Sequence, residues 1–227
     1  MGIDNAIKKK VIEEWQNAFP KLTMYSQNKL YKVVGPCIIG IELIKSPHAE
    51  KYSPYFVIYP LWKKDVKASL DYPIFLKDFK NKKGYQYDIP YQRHSEFFHD
   101  IVDSVKTETP LPFEGDISFT KIAIAIEESS KTPPLNAAPN SYLQAVLQEA
   151  KLKITLFINN EEAQRVLEQI SKRKWDVNHF KACGVDVNQW LESLRATISH
   201  KEVFLEHIEL NRQDKKIAEL KSSELTE

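Results

Sequence analysis

The segment from Val33 to Trp62 constrains the fold more than any other, because two runs of apolar, β-branched and aromatic residues flank a polar link with two prolines. Such runs, bounded by proline and small polar residues, predict two paired β-strands and a connecting loop. The first run, Cys37 to Ile44, is apolar on both faces except at Glu42. We therefore expect an interior strand that is covered on both sides of a sheet.

The remainder of the N-terminal half predicts a helix and further strands. Apolar residues recur every four positions over 3–19, and Pro20 ends this helical pattern. An antiparallel or mixed sheet of about four strands follows. Its strands are expected at about 22–26, 30–34, 37–45 and 55–62.

The middle of the chain carries weaker signals. A short helix is expected over 70–81, and the apolar stripe after Ser95 predicts a longer helix that closes before Pro112. Residues 117–128 alternate like a strand at three isoleucines. The length of this stretch nevertheless favours a helix.

Residues 129–140 hold three prolines among small polar residues and are the best candidate for a linker. No proline occurs over 141–220, so the C-terminal third is free to be helical, with a short strand expected at 153–158. The predicted organisation is an α+β domain at 1–128, the linker, and a helical lobe at 141–227 whose last seven residues fray. Helices are expected at 141–151, 161–174, 186–198 and 200–220.

Composition argues against several classes of function. The 227 residues carry a net charge of +1, whereas a nucleic-acid partner usually needs a strongly basic face. The six glycines do not cluster into a P-loop or a dinucleotide fingerprint. We find neither a signal peptide nor an apolar run of about 18 residues. We therefore expect a soluble, cytoplasmic protein without membrane contact, whose two cysteines are reduced.

One cluster of side chains suited to metal binding or proton transfer lies at the start of the second long helix. His94, Glu96 and His99 fall close together, and Glu-x-x-His is the spacing used by di-metal sites in helical bundles. No second copy of the motif accompanies it on a clearly inward face. General acid–base catalysis and a polar, solvent-facing helix start therefore stay open as alternatives. Together with Glu42, these residues would carry the site if the chain is an enzyme.

The sequence contains the residues of a restriction-type nuclease motif. In this motif an acidic residue precedes Glu-x-Lys on a strand. Glu149 and Lys151 have this spacing, and Asp116 lies upstream. The spacing places both side chains on one face only if the segment is a strand. Glu149 lies instead in a segment that predicts a helix.

Tyrosines interleaved with lysines are the last informative feature. Tyr52, Tyr55 and Trp62 are the anchors we expect on a protein-binding surface, because large rigid aromatics bury much area at little entropic cost. Stacking of single-stranded nucleic acid and a place at the edge of the core are the alternatives. His207 marks the terminal helix, which we expect to pack over 200–210 and to protrude beyond it toward a partner.

The chain combines many tyrosines with no nucleotide loop, metal cluster or nucleophile elbow. The favoured function is therefore a non-enzymatic protein-interaction protein, such as an accessory subunit of a bacterial multi-protein defence or toxin–immunity system. A protein partner is expected, a nucleic-acid partner is less favoured, and no cofactor is implied. The alternative is a metal-dependent or general acid–base hydrolase, nuclease-like, with a site assembled from dispersed His and Glu residues.

Overall fold

The computed structural model describes residues 5–47 and 49–226, and it has the α+β fold that the sequence predicts. The expected start of the first helix at Ile3 lies outside the described residues. The helices are α1 (Asn5–Ala18), α2 (Val66–Ser69), α3 (His94–Glu108), α4 (Phe119–Ser130), α5 (Tyr142–Ile158), α6 (Asn160–Lys172), α7 (Val177–Ala182), α8 (Val187–Ser199), α9 (Lys201–Arg212) and α10 (Lys215–Ala218). The strands are β1 (Thr23–Ser26), β2 (Lys29–Val34), β3 (Cys37–Lys45), β4 (Lys51–Pro60), β5 (Phe75–Asp78), β6 (Ile89–Pro90), β7 (Ile117–Ser118), β8 (Ser222–Ser223) and β9 (Leu225–Thr226).

The main sheet runs in the order β1–β2–β3–β4–β5, and each neighbouring pair is antiparallel. β3 pairs with β4 along its whole length, from Cys37 opposite Pro60 to Lys45 opposite Tyr52. β3 is buried except for its last two residues, as an interior strand requires. β6 pairs with β4 and β8 with β2, which extends the sheet beyond the strands that the sequence indicates.

The two faces of the sheet meet different neighbours. Side chains alternate along a strand, so Tyr52 and Phe56 lie on one face of β4 and Tyr59 lies on the other. On the first face, Trp15 of α1 donates a hydrogen bond to the Tyr52 hydroxyl at 3.2 Å. The ring of Phe56 lies 6.0 Å from that of Phe113 on the same side. This face is therefore part of the main hydrophobic core.

β2 and β3 approach so closely at Gly40 that no side chain fits there. A Cβ atom on Gly40 would lie 2.0 Å from the carbonyl oxygen of Leu30 and 2.7 Å from the ring of Tyr31. Leu30 is part of the β2 ladder, and its carbonyl group cannot move away without disturbing the strand register. Glycine at this position is a requirement of the strand pairing.

The helical region consists of α5 to α10, most of which begin at a capping side chain. A Ser, Asn or Asp at the N-cap accepts hydrogen bonds from backbone N–H groups that the first turn leaves free. Gly184, with a φ angle of 73°, follows the end of α7 in the left-handed conformation. No helix in the described part of the chain is long and apolar enough to cross a membrane. The caps are Ser141 for α5, Asn159 for α6, Asp176 for α7 and Asp186 for α8.

The C-terminal segment returns to the N-terminal half, so the expected protrusion and fraying are wrong. β8 pairs in parallel with β2, with Ser222 opposite Val33, and β9 pairs with β7. Ile217 and Leu220, which precede β8, are buried. The tail therefore contributes to both the sheet and the core.

Two further elements differ from the prediction. The helix expected over 70–81 is wrong, because Phe75–Asp78 forms a strand that pairs with β4. The strand expected over 153–158 is also wrong, because this segment continues α5 to its end. Its residues Ile154 and Leu156 are buried on that helix.

The Pro-rich segment 129–140 begins in the last turn of α4 and continues as turns, with one 3-10 turn at Leu135–Ala137. Gln144 of α5 holds this segment, because its side-chain amide donates to the carbonyl groups of Ser130 at 2.7 Å and Leu135 at 3.0 Å. The division of the chain into two domains at this segment stays a prediction.

Candidate binding cleft

A cleft of about 550 Å³ opens where the end of β4, the segment from α2 to β5 and the first half of α5 meet. We call it the α5 cleft. Aromatic and aliphatic walls with a few polar groups are typical of ligand sites. Its charged lining residues are Lys63, Asp71 and Glu149. Its apolar walls include Trp62, Tyr72, Ile74, Tyr142, Leu143 and Val146.

The aromatic side chains of the inner wall are held from behind by the core. Trp62 is only 7% exposed, and its ring lies 6.3 Å from that of Phe204 on α9. Tyr142 follows the helix cap Ser141, and its ring meets Phe180 edge-on at 5.2 Å. Because both rings are packed against other rings, the inner wall is preformed before any ligand binds.

The rim of the α5 cleft is exposed and apolar. Tyr72, which precedes Pro73 and β5, is 83% exposed, and Leu143 in the first turn of α5 is 53% exposed. Exposed apolar surface that continues into a concave pocket is typical of an interaction site. The rim therefore continues the apolar inner wall out to the protein surface.

The charge of Glu149 is compensated inside the protein. Its carboxylate lies 2.6 Å from the Lys153 ammonium and accepts a hydrogen bond from the Trp190 indole at 2.8 Å. Burial alone would raise the pKa of Glu149, but Lys153 and the Trp190 bond outweigh burial and hold the pKa below its usual value. The nearby Lys63 ammonium lowers this pKa as well. Glu149 is therefore an ionised carboxylate with its partners already in place.

Lys63 has a fixed backbone and a free ammonium. The side-chain amide of Asn211 on α9 donates to the carbonyl groups of Leu61 at 2.8 Å and Lys63 at 2.7 Å. In the part of the chain that the structure describes, the Lys63 ammonium has no ion pair and no hydrogen bond. The Lys63 side chain is exposed, yet the protein atoms packed around it lower its pKa, and the nearby Glu149 carboxylate opposes this effect. Lys63 is the charged group of the cleft that an anion can reach.

A second groove, of about 410 Å³, lies between α6 and α8. It is lined by polar and charged side chains such as Gln164, Lys172 and Arg195, and by no aromatic residue. Grooves of this kind form wherever two amphipathic helices pack side by side. We therefore assign the candidate site to the α5 cleft.

The four residues predicted for an enzymatic site do not lie together, and His94 is the first of them. Trp15 donates to the Tyr52 hydroxyl, which lies 2.6 Å from His94 Nδ1. Because an indole only donates, the Tyr52 hydroxyl accepts from Trp15 and donates to His94 Nδ1, and His94 Nε2–H then donates to Glu14 at 2.8 Å. Burial lowers the pKa of His94, although Glu14 opposes this effect. Tyr52 has no exposed surface, so a substrate cannot reach this chain of hydrogen bonds.

Glu96 and His99 lie on the exposed surface of α3. Glu96 forms an ion pair with Arg93 at 2.6 Å, and His99, whose side chain is 96% exposed, has Asp103 at 3.7 Å. Among residues 5–47 and 49–226, no three His, Cys, Asp or Glu side chains come together as a potential metal site. The geometry at Glu96 and His99 is that of a solvent-facing helix start.

Glu42 is buried in a different cluster. The hydroxyl groups of Tyr31 and Tyr59 both donate to its carboxylate, and the Lys29 ammonium lies 3.0 Å away. Burial raises the pKa of both tyrosines, and the Glu42 carboxylate raises it further. The cluster satisfies a buried charge with three partners, which is a structural arrangement.

Glu42 and His94 also lie on opposite faces of the sheet. Glu42 stands opposite Tyr55 in the β3–β4 register, whereas His94 bonds to Tyr52, three residues earlier on β4. Positions an odd number of residues apart on a strand point to opposite faces. The expectation that His94, Glu96, His99 and Glu42 are gathered in one site is therefore wrong.

The four predicted binding residues have different positions. Tyr52 is wrong as a contact residue, because its side chain is fully buried. Trp62 lines the α5 cleft. Tyr55 is half-buried on the sheet and His207 is exposed on α9, and their contact with a partner stays a prediction.

The restriction-type pattern has the wrong backbone for its chemistry. Glu149 and Lys151 lie on α5, and side chains two residues apart on a helix do not face each other. Lys151 instead lies 3.6 Å from Glu127 on α4. The residues of the motif are present in the sequence, but on a helix they do not take the arrangement that the nuclease chemistry requires.

Sequence reasoning missed most of the cleft. Tyr72, Tyr142 and Leu143 come from two segments far apart in the chain, and they meet Trp62 only after folding. The local signals were a proline directly after Tyr72 and a capping serine directly before Tyr142. Neither signal indicates which distant residues will lie beside these side chains in the folded protein.

No family model, curated protein or solved structure matches this chain. The fold and the site define an α+β protein with a preformed aromatic cleft that carries a free lysine ammonium. Its function is inferred from these features.

Proposed function

We propose that this chain is a non-enzymatic protein-interaction protein, and that the α5 cleft holds a segment of its partner. The observation that carries the proposal is the continuity between the cavity and its exposed rim. Tyr72 and Leu143 extend the apolar surface outward from the inner wall at Trp62. A small molecule inside the cavity would leave this rim in water, whereas a polypeptide segment covers both.

The inner wall suits a binding role because it requires little reorganisation. Trp62 and Tyr142 are each fixed by a neighbouring aromatic ring. A preformed site avoids part of the entropy cost that association imposes on mobile side chains. Large aromatic residues are also the residue types that dominate binding energy in protein interfaces.

The cellular setting is part of the same proposal. Cys37 and Cys183 are free thiols, and the exposed thiol of Cys183 fits the reducing cytoplasm. We propose that the protein acts as an accessory subunit of a multi-protein assembly, of which a bacterial defence or toxin–immunity system is one example. The α5 cleft would then be the point at which a second subunit attaches.

Selection of peptides from a random dodecapeptide library displayed on phage tests the proposal. We expect the wild-type protein to enrich peptides that compete with one another for one site. In the double variant Tyr72→Ala/Leu143→Ala, these peptides should bind more weakly by about 2 kcal/mol, or about thirtyfold in Kd, because both rim contacts are lost. Both residues are exposed, so the thermal unfolding midpoint should change little.

Tyr85→Ala is the matched control. Tyr85 is also a tyrosine with a large exposed fraction, 70%, but it does not line the α5 cleft. Its replacement should leave peptide affinity unchanged. Selection that enriches no peptide, or enriched peptides that bind the double variant and the wild type equally, would overturn the assignment of a binding function to the cleft.

A further inference from the structure

We propose that the α5 cleft binds a proline-rich partner segment in the polyproline II conformation, and that the indole N–H of Trp62 donates a hydrogen bond to a backbone carbonyl group of this segment. The inference rests on the proposed function and assigns the chemistry of the partner at the same site. It follows from the hydrogen-bonding groups of the inner wall, where donors are free and the acceptors beside the indole are occupied.

The indole of Trp62 differs from the other indoles of the chain. Among residues 5–47 and 49–226, it is the one tryptophan of four whose N–H has no acceptor. An indole nitrogen only donates, and buried donors nearly always have a partner. The other three bonds run from Trp15 to the Tyr52 hydroxyl at 3.2 Å, from Trp175 to the Ile170 carbonyl at 3.0 Å and from Trp190 to the Glu149 carboxylate at 2.8 Å.

The free N–H of Trp62 opens into the α5 cleft. The side chain is 7% exposed and lines the cleft. In the described part of the chain, the side-chain polar atoms that are both sealed from water and unpaired are the hydroxyls of Ser69 and Ser223, and the indole nitrogen is not one of them. The N–H therefore reaches open space, and the open space beside Trp62 is the cleft. A ligand that supplies an acceptor there completes the hydrogen bonding of a nearly buried donor.

The acceptors around Trp62 are already used. The carbonyl groups of Leu61 and Lys63, on either side of it, accept from Asn211 at 2.8 Å and 2.7 Å. The Glu149 carboxylate is occupied by a lysine ammonium at 2.6 Å and by an indole at 2.8 Å. A ligand N–H group brought against this wall would lose its water without gaining a partner. The wall therefore favours a ligand that offers acceptors and few N–H groups.

A second donor of the inner wall is the hydroxyl of Tyr142, which also has no hydrogen-bond partner within the described ranges. Burial and the nearby Glu149 carboxylate raise the pKa of Tyr142, so the hydroxyl keeps its proton and can donate. Asp71 is exposed, so water satisfies its carboxylate with or without a ligand. The charges that line the cleft, on Lys63, Asp71 and Glu149, are of both signs and do not select a charged segment.

A proline-rich segment has the required groups. Proline has no backbone N–H, and a polyproline II helix has no internal hydrogen bonds, so its carbonyl groups are free to accept. Grooves lined by aromatic side chains recognise such segments, and the cleft has Trp62 and Tyr142 on its inner wall and Tyr72 at its rim. An α-helix uses its carbonyl groups internally, and a β-strand brings as many N–H groups as carbonyl groups.

Nuclear magnetic resonance of the isotope-labelled wild-type protein tests the hydrogen bond, with the most enriched peptide from the phage selection as the probe. The four indole N–H signals are assigned through the backbone of the wild-type protein. We expect the peptide to move the Trp62 signal downfield and to slow its exchange with deuterium, because this N–H gains an acceptor. Trp15, Trp175 and Trp190 are internal controls, and their signals should change less because each already has an acceptor.

The composition and affinity of the enriched peptides test the conformation of the segment. We expect these peptides to share a pattern of prolines. Replacing a proline of this pattern with Ala should weaken binding about tenfold in fluorescence polarisation, because the peptide loses both a fixed backbone angle and an apolar contact. Replacing a residue outside the shared pattern with Ala is the matched control and should leave the affinity unchanged.

Enriched peptides without proline, or a Trp62 indole signal that does not move when the peptide binds, would overturn this inference. The cleft would remain a binding site in those cases, provided that Tyr72→Ala/Leu143→Ala still weakens binding. If that double variant has no effect, or if no peptide is enriched, the proposed function itself fails, and the inference fails with it.

Discussion

Replacing Tyr52 with Phe removes one oxygen atom from the centre of the buried hydrogen-bonded chain beneath the sheet. The hydroxyl accepts a hydrogen bond from Trp15 at 3.2 Å and lies 2.6 Å from His94 Nδ1. Trp15 is fully buried and His94 is only 5% exposed, so water cannot replace the lost partner without entering the core. Phe fits the same space, so the change tests hydrogen bonding with little change in packing.

The magnitude follows from the two groups that lose their partner. A buried donor or acceptor left unsatisfied costs about 1–3 kcal/mol, so two such groups give about 2–6 kcal/mol. The contact with Trp15 is long for a hydrogen bond and belongs at the lower end of this range. We expect Tyr52→Phe to lower the free energy of unfolding by about 2–4 kcal/mol.

Tyr55→Phe on the same strand is the matched control. Tyr55 is half-buried, and its hydroxyl accepts from the exposed amide of Gln86, so water can replace the bond. This change should cost about 0–1 kcal/mol. Urea denaturation followed by circular dichroism measures both variants. Equal losses in the two variants, or a loss in Tyr52→Phe below about 0.5 kcal/mol, would refute the assignment of a buried hydrogen-bonded chain.

Three further predictions concern the fold. Gly40→Ala should destabilise the protein by about 3 kcal/mol or more in urea denaturation, because its Cβ would lie 2.0 Å from the Leu30 carbonyl oxygen; a variant of wild-type stability would contradict the strand pairing. Because burial lowers the pKa of His94 below its unfolded value of about 6.5, its contribution to stability should be complete above that pH and decrease below it. His94→Gln should flatten this part of the pH profile, and an unchanged slope would assign the acid sensitivity to other groups. Mild proteolysis should cut first within 129–140, and resistance of this segment would argue against two domains.

The parts of the fold that were predictable are those in which local pattern and burial agree. β3 is apolar at nearly every position because it is covered on both faces, and this requirement is visible in the sequence. Residues 117–128 alternate like a strand, yet Ile122 and Ile126 are buried and Ile124 is 56% exposed. Burial four residues apart is the helical period, and the length of the segment indicated it correctly.

The parts that were not predictable depend on partners far away in the chain. β5 is a strand because it pairs with β4, with Phe75 opposite Ile58. The sequence of β5 taken alone also suits a helix. β8 is a strand only because β2 leaves hydrogen-bonding groups free beyond the end of β1, where Ser222 can pair with Val33. Long-range pairing of this kind leaves no periodic signal in the segment itself.

The same reason limits what could be predicted about the site. Trp62 was predicted as an anchor and lines the cleft, whereas Tyr52, the second residue of β4, was predicted in the same way and is buried against Trp15. A strand that is apolar on both faces does not reveal which of its tyrosines a helix will cover. Lys63 was visible as a lysine beside a tryptophan, but the compensation of Glu149 by other residues required the folded structure.

The role of the α5 cleft as the binding site for a partner segment is tested most directly by photo-cross-linking. Tyr72 at the rim is replaced by p-benzoylphenylalanine, and a fluorescently labelled peptide that was selected on the wild-type protein is irradiated with this variant. We predict label transfer at this position, weaker transfer when Leu143 is also changed to Ala, and no transfer when the photoreactive residue stands at Tyr85. Equal transfer at the two positions, or transfer at Tyr72 that does not depend on Leu143, would contradict the account.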